Sequence, residues 1–291
     1  MRLAELLKCA AGELYTAGVT EYQLDARLLL EGCLGITRTE IFLNGQNEVD
    51  EESQRTFLGF IGRRKKREPV AYILGEREFW SMPFYVTPAV LIPRPETEFL
   101  LDRVLALTSP ENVGRGSALD LCCGSGVIAT VLAKETGRRI IASDISFDAL
   151  QVARKNLLRH HLAGQVDLVQ GDLLTPFRQE GGVFSLIVAN PPYVSRNDVE
   201  NGLEPEVEQH EPHLALDGGE DGLAIINEIR LGLPRVLCPG GQFFMEIGAD
   251  QGGSVGRLFA ADFNDSPGFH DVKILIDYTG RDRVVHARKA G

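Results

Sequence analysis

Asn190, Pro191, Pro192 and Tyr193 follow the apolar run Leu186-Ile187-Val188-Ala189 with no spacer. The run reads as a buried parallel strand, and the prolines end it: each lacks an N–H, fixes φ at about −65° and steers the residue before it away from helix. What remains at the strand end is a stiff ledge. Asn190 brings one side-chain carbonyl acceptor and one amide donor pair, and the Pro191 carbonyl loses its strand partner. Two acceptors fixed side by side suit a single planar NH2 group, with Tyr193 placed to cover the flat face of whatever carries it. Asn-Pro also starts ordinary turns, so these four residues by themselves leave a turn and a binding ledge both open.

Three more strand-like runs end in residues of chemical interest. Residues 117–121 lead into Cys122-Cys123-Gly124-Ser125-Gly126 and then a helix over 127–136. A glycine-rich turn there lets a ligand approach the backbone, and the helix start presents free N–H groups. Residues 139–143 end at Asp144, close to the spacing of about 20 residues at which a nucleotide-binding sheet sets a carboxylate on ribose hydroxyls. Residues 166–170 end at Gly171-Asp172-Leu173, where Asp172 either closes a turn or accepts from an exocyclic amine such as adenine N6. Four consecutive strands therefore deliver polar or glycine residues to one sheet edge, the edge at which open α/β sheets bind ligands.

The elements that position this edge alternate strand and helix after residue 115, which predicts a doubly wound α/β domain with a mainly parallel sheet. A helix is expected over 147–160, with His160-His161 as its cap. An acidic loop follows at 197–211, then a helix over 224–237 broken or kinked at Pro234, a strand over 242–247, a helix over 251–263 and two final β runs at 272–278 and 283–287. Residues 1–75 show helical spacing alone: Leu3, Leu6, Leu7, Ala10 and Leu14 share a face, Thr20 with Gln23 and Thr37 with Glu40 have capping-box spacing, and Asp50 opens a helix carrying Phe57, Phe60 and Ile61. The basic run Arg63-Arg64-Lys65-Lys66-Arg67 reads as a solvated helix end or as a contact patch for an acidic protein or RNA. A hairpin over 76–91, with turns at Ser81-Met82-Pro83 and Thr87-Pro88, leads into Ile92-Pro93-Arg94-Pro95-Glu96-Thr97-Glu98 and a helix to about 107. The expected division is a helical domain at 1–75, a β-hairpin linker at 76–95 and a sheet domain at 96–291.

At 291 residues the chain has room for two domains. Its formal charge of −11 disfavours broad binding to a polyanion. No signal peptide and no membrane span are expected. The odd, scattered Cys9, Cys33, Cys122, Cys123 and Cys238 fit reduced cytoplasmic thiols. Pro212 spoils the ligand spacing of His210-Glu211-Pro212-His213, so no metal is expected. The loop at 122–126 lacks the third glycine of a dinucleotide fingerprint, and no Gly-Lys-Ser/Thr is present.

This order of motifs resembles the class I (Rossmann-like) S-adenosylmethionine methyltransferases that carry Asn-Pro-Pro-Tyr, and more closely the bacterial release-factor glutamine methyltransferases. The resemblance covers nearly the whole chain. Its specific parts are Ile92-Pro93-Arg94-Pro95-Glu96-Thr97-Glu98 and the stretch from Glu211-Pro212 through Gly218-Gly219 to Asp221-Gly222-Leu223. Asn-Pro-Pro-Tyr by itself is shared with adenine N6 methyltransferases of nucleic acids. A ribosomal-protein glutamine methyltransferase is a nearer alternative, but it departs from Pro-Glu-Thr-Glu after Ile-Pro-Arg. The resemblance implies methyl transfer from S-adenosylmethionine to the side-chain amide nitrogen of the Gln in the Gly-Gly-Gln tripeptide of peptide-chain release factors. It implies that Cys122, Cys123, Gly124, Ser125 and Gly126 wrap the methionine end of the cofactor and Asp144 holds its ribose. It also implies that Asp172 and Leu173 border adenine, that Asn190 touches the cofactor as well, that Asn190, Pro191, Pro192 and Tyr193 grip the substrate amide, with Asn190, Pro191 and Tyr193 as the catalytic residues, and that residues 1–75 dock the release factor. One departure is Cys122, which stands where relatives carry glycine. No direct DNA binding is expected.

Overall fold

The computed structural model describes residues 1–108, 116–177, 182–261 and 268–290, which form two compact units. One unit is Met1–Glu76 with Glu204–Glu211, and the other is Arg77–Leu203 with Pro212–Gly291.

The first unit is helical: α1 (Leu3–Thr16), α2 (Tyr22–Leu34), α3 (Arg38–Leu43), α4 (Glu51–Arg64) and the single turn α5 (Val70–Leu74), joined by a later helix, Pro205–His210. Leu3, Leu6, Ala10 and Leu14 form the buried face of α1 and pack with Leu29, Leu30, Phe57 and Ile61. Thr37 and Glu40 close a reciprocal capping box, the Glu40 N–H donating to Thr37 Oγ1 at 3.3 Å and the Thr37 N–H to Glu40 Oε2 at 2.8 Å. Asp50 caps α4 by accepting from the Glu52 and Ser53 N–H groups. The box expected at Thr20 does not form. Helix α2 starts after Glu21, so Gln23 sits at the second helical position, one short of where a box requires it.

The basic run closes α4 with Lys65 and Lys66 exposed, but most of its charges are used within the unit. Arg63 forks onto Glu68. Arg64, 6% exposed, donates to Asp25 Oδ2 and Glu206 Oε1, both at 2.7 Å. Lys65 pairs with Glu13, and Arg67 donates to Glu206 Oε2 at 2.9 Å. The run is thus the clasp that holds residues 204–211 in the helical unit.

The hairpin is β1 (Glu76–Phe79) and β2 (Met82–Tyr85), in the second unit from Arg77 onward. Its turn is Trp80-Ser81, both at positive φ (53° and 54°), as two-residue hairpin turns demand; Met82 and Pro83 lie inside β2, not in the turn. The hairpin is packed into this unit. Asn156, fully buried, accepts from the Tyr85 N–H at 2.7 Å and donates to the carbonyls of Tyr85 and Ser125.

The remaining elements are α6 (Pro95–Leu107), β3 (Ser117–Leu121), α7 (Val127–Thr136), β4 (Ile140–Asp144), α8 (Phe147–Arg159), β5 (Val166–Gln170), β6 (Phe184–Ala189), α9 (Arg196–Asn201), the Pro205–His210 helix as α10, α11 (Ala224–Val236), β7 (Leu237–Glu246), α12 (Gly252–Ala260), β8 (Phe269–Ile276) and β9 (Asp282–Lys289). The sheet order is β5-β4-β3-β6-β7-β9-β8. The first five strands are parallel, and β9 is antiparallel to both of its neighbours, β7 and β8. Core residues of α6, α7 and α8 cover one face, and those of α11 and α12 cover the other. Strand β6 is buried throughout, as a central parallel strand must be.

Three details differ from expectation. Residues 196–201 and 205–210 of the acidic loop are helical. Pro234 sits in the last turn of α11 without ending it, and Lys289 Nζ donates to the Pro234 and Leu237 carbonyls there. Strand β7 begins at Leu237, its register against β6 shifting between Phe184 and Leu186. The last two residues of the helix expected over 251–263 lie outside the described residues. Among the described residues, no helix is long and apolar enough to cross a membrane.

Candidate active site

The sheet reverses its winding between β3 and β6: β4 and β5 continue on one side, β7 on the other. Crevices open at such a switch point, and here a cavity of about 210 Å³ lies at the carboxyl ends of the strands. Cys122, Cys123, Gly124 and Ser125 line it after β3, Asp144 at β4, Asp172 and Leu173 after β5, and Asn190 and Pro192 after β6. The four expected strand ends meet at one cavity. Gly126, Pro191 and Tyr193 lie outside its lining. Gly126 caps α7 at φ 78°, where a Cβ would meet Ala153 Cβ at 3.1 Å.

Asp144 accepts the Gly124 N–H at 2.8 Å on Oδ2 and the Ser146 N–H at 2.9 Å on Oδ1. Each oxygen keeps a further lone pair. Burial pushes this carboxyl up, and the backbone donors Ser146 and Gly124 pull it back down. Asp120 lies fully buried on the neighbouring strand β3, its Oδ2 accepting the Ala129 N–H at 2.8 Å, and burial raises it to about 8. Two non-glycine residues of the lining, Cys122 (φ 61°) and Leu173 (φ 44°), stand in the left-handed region. Such backbone costs of order 1–3 kcal/mol and concentrates at functional sites.

The ledge at Asn190 is held from behind. Asn190 Nδ2 donates to Thr97 Oγ1 at 3.1 Å, and Thr97 Oγ1 donates to Glu246 Oε2 at 2.8 Å. Tyr193 Oη donates to the other oxygen of Glu246 at 3.0 Å. Thr97 is 3% exposed and Glu246 1%. Burial pushes the Glu246 carboxyl up, while the Thr97 and Tyr193 hydroxyls and the Arg283 charge oppose it. Burial and the Glu246 charge also raise the Tyr193 phenol. Sequence reasoning missed Thr97 and Glu246. The available signals were a hydroxyl among the acids of a helix start and one acid closing the apolar run Phe243-Phe244-Met245.

The glycine-rich stretch after Pro212 serves the same ledge. A Cβ on Gly222 would come within 2.4 Å of the Tyr193 carbonyl oxygen, and one on Gly218 within 2.8 Å of Tyr193 Cα. Gly218 N–H donates to the Val194 carbonyl at 2.8 Å, Val194 N–H to Leu216 at 3.0 Å and Gln251 Nε2 to the Tyr193 carbonyl at 2.9 Å. Chain 216–222 is thereby laid directly against 193–194, which only residues without a side chain permit.

These residues fit S-adenosylmethionine. A Cβ on Gly124 would meet nothing within 4 Å, so the glycine keeps open space beside the loop. Asp144 retains acceptors for two adjacent hydroxyls, and Asp172 stands at the next strand end.

The model of the methyltransferase small domain matches residues 97–245, and that of the PrmC N-terminal domain matches residues 5–75. A methyltransferase from Pyrococcus furiosus shares the fold at 15% identity and a TM-score of 0.52, over 83% of this chain and 100% of that one. Fold, cavity and matched domain define a class I methyltransferase that uses S-adenosylmethionine. A release factor glutamine methyltransferase of Caulobacter vibrioides is 41% identical across 98% of this chain and 96% of its own length, and one of Clostridium botulinum is 38% identical across 99% and 100%. The chain belongs to the release factor glutamine methyltransferase family.

Proposed function

We propose that this protein methylates the side-chain amide nitrogen of the Gln in the Gly-Gly-Gln tripeptide of a peptide-chain release factor. The observation that carries the reading is the fixed orientation of Asn190: its Nδ2 is engaged by Thr97, which leaves Oδ1 as an acceptor at the cavity. An amide nitrogen is a poor nucleophile because its lone pair is delocalised into the carbonyl. Asn190 Oδ1 and the Pro191 carbonyl each accept one N–H of the substrate, which turns the nitrogen and stabilises the charge that develops on it. Pro192 walls the amide, and Tyr193, outside the cavity lining, is anchored on Glu246 behind it. No general base is needed before transfer, because the nitrogen loses its proton afterwards.

Cys122, Cys123, Gly124 and Ser125 hold the methionine end of S-adenosylmethionine, with Gly126 capping α7 behind them, Asp144 holds its ribose, and Asp172 with Leu173 its adenine. When bound, the cofactor supplies an electrophilic methyl group. The helical unit docks the protein substrate, since none of the cavity's lining residues comes from it. A cytoplasmic location suits a substrate drawn from translation, and the charge of −11 suits a protein rather than a polyanion as acceptor.

The test is transfer of a labelled methyl group to purified release factor. Label should appear on the wild-type factor and vanish when the tripeptide Gln is changed to Ala. Label on duplex DNA, or undiminished label on the altered factor, would overturn the reading.

A further inference from the structure

We infer that Thr97 and Glu246 are positioning residues that fix which end of the Asn190 amide faces the substrate, and so decide that the site accepts an amide rather than a carboxylate. The inference rests on the proposed glutamine methylation and deepens it.

Asn190 is symmetric in shape but not in hydrogen bonding: turned one way it presents an acceptor, turned the other way a donor. Only the first orientation can receive the N–H of a substrate NH2. Nothing in the Asn-Pro-Pro-Tyr backbone chooses between them. The choice is made by the Thr97 hydroxyl, which has one proton. That proton goes to Glu246 at 2.8 Å, so toward Asn190 the oxygen can only accept. Glu246 in turn receives two hydroxyl protons, from Thr97 on Oε2 and from Tyr193 on Oε1. A carboxylate is the one side chain that accepts on both oxygens. The relay therefore runs Glu246, Thr97, Asn190, with Tyr193 locked by the same acid.

The three elements that carry it are remote in sequence: the first turn of α6, the end of β7 and the end of β6. Their side chains converge in a buried spot, where an unmade hydrogen bond is costly. Replacing Glu246 by Gln puts a donor where two donors point. One hydroxyl must then turn, and if Thr97 turns, Asn190 turns with it and sets an NH2 against the substrate's NH2. In the native sense, a glutamate at the substrate position would set its own lone pairs against Asn190 Oδ1. Sites built to bond a donor reject the analogue lacking it strongly.

The experiment compares wild type, Thr97→Val, Thr97→Ser and Glu246→Gln. Its readouts are kcat on release factor, calorimetric affinity for S-adenosylmethionine and hydrogen exchange of the Asn190 side-chain amide by 15N NMR. Thr97→Val should lower kcat about 100-fold, the scale of a misplaced reacting group, with cofactor affinity nearly unchanged and the Asn190 amide losing protection. Thr97→Ser, which keeps the hydroxyl, should recover most of the loss. Glu246→Gln should repeat the Val phenotype when its NH2 faces Thr97 and should spare kcat when its NH2 faces Tyr193, so loss of kcat and loss of Asn190 amide protection must go together in it. Should Thr97→Val fail to fold, Thr97→Ala takes its place: wild-type kcat with a protected Asn190 amide in that variant overturns the relay. Equal kcat for Val and wild type also overturns it. Failure of the wild-type enzyme to label glutamine would instead refute the underlying function.

Discussion

Leu121 and Ala189 are register partners on adjacent parallel strands, so Cys122 and Asn190 leave the sheet at the same level and side by side. The loop assigned to the methyl donor and the ledge assigned to the acceptor are thus set by one ladder. Asn190→Ala should leave S-adenosylmethionine affinity within a few fold while kcat falls about 10²–10³-fold, the effect of deleting one preorganised hydrogen-bonding group. Near-normal turnover in that variant would mean that orientation by Asn190 is not what drives the reaction.

Cys122 carries a Cβ at φ 61°, a backbone region that disfavours L side chains by roughly 1–2 kcal/mol. Cys122→Gly and Cys122→Ala both remove the sulfur, but only the former removes the Cβ. Chemical denaturation should find the Gly variant more stable than the Ala variant by about 1 kcal/mol. Equal stabilities would show the loop to be unstrained.

Gly222 faces the Tyr193 carbonyl so closely that a Cβ would sit 2.4 Å away, and its φ is 74°. Gly222→Ala should therefore both destabilise the second unit and slow methyl transfer by displacing Tyr193. Thermal melts and steady-state kinetics on the same preparation would check this. A variant that melts like wild type and keeps its kcat would contradict the close approach.

His286 is 6% exposed, stacks on Phe244 at 4.2 Å and engages Gln242 Oε1 at 3.0 Å through Nε2. Burial first, then the Lys273 and Arg288 charges against the opposing Asp271, lower its pKa from 6.5 to about 4. The unfolded chain binds a proton near pH 6.5, and the folded one does so only near pH 4. Between those values the unfolded state holds more protons, so stability falls as pH falls across that window, by up to about 3 kcal/mol at 1.36 kcal/mol per unit. Denaturation at pH 7, 5.5 and 4 should show this slope in wild type and a shallower one in His286→Gln. Parallel slopes would assign the acid sensitivity elsewhere.

Arg64 is 6% exposed and bonded to both Asp25 and Glu206. Arg64→Ala would strand the buried Asp25 carboxylate and leave Glu206 to Arg67 alone, a loss of about 3 kcal/mol. A melting curve with an early transition confined to the helical unit is the expected result. A single unshifted transition would show the clasp to be dispensable.

The site's geography was legible in the chain because strand ends, glycines and prolines are local signals. Residues 122–126, Asp144, Asp172 and Asn190 each announce themselves by what precedes them. The relay behind Asn190 was not legible, because Thr97 and Glu246 look like an ordinary helix start and an ordinary strand end. Only the fold brings positions 149 residues apart within 2.8 Å. The partners of the basic run were illegible for the same reason. Charge patterning cannot show that Arg64 and Arg67 meet an acid from residue 206. Thr20 and Ser81 show the smaller error, a shift of one residue at a boundary that spacing alone leaves free.

Glu206 reaches Arg64 across 142 residues of chain. A ribosome adding about 5–20 residues per second delivers the arginine well before its second acid, by a time on the order of ten seconds. Through that interval Asp25 alone can neutralise the guanidinium. The amino-terminal portion is therefore born unfinished, and a fragment cut at residue 76 would keep its apolar interior yet lack its closing helix. Any expression strategy for the helical portion must supply residues 204–211, as a graft or as a peptide added in trans.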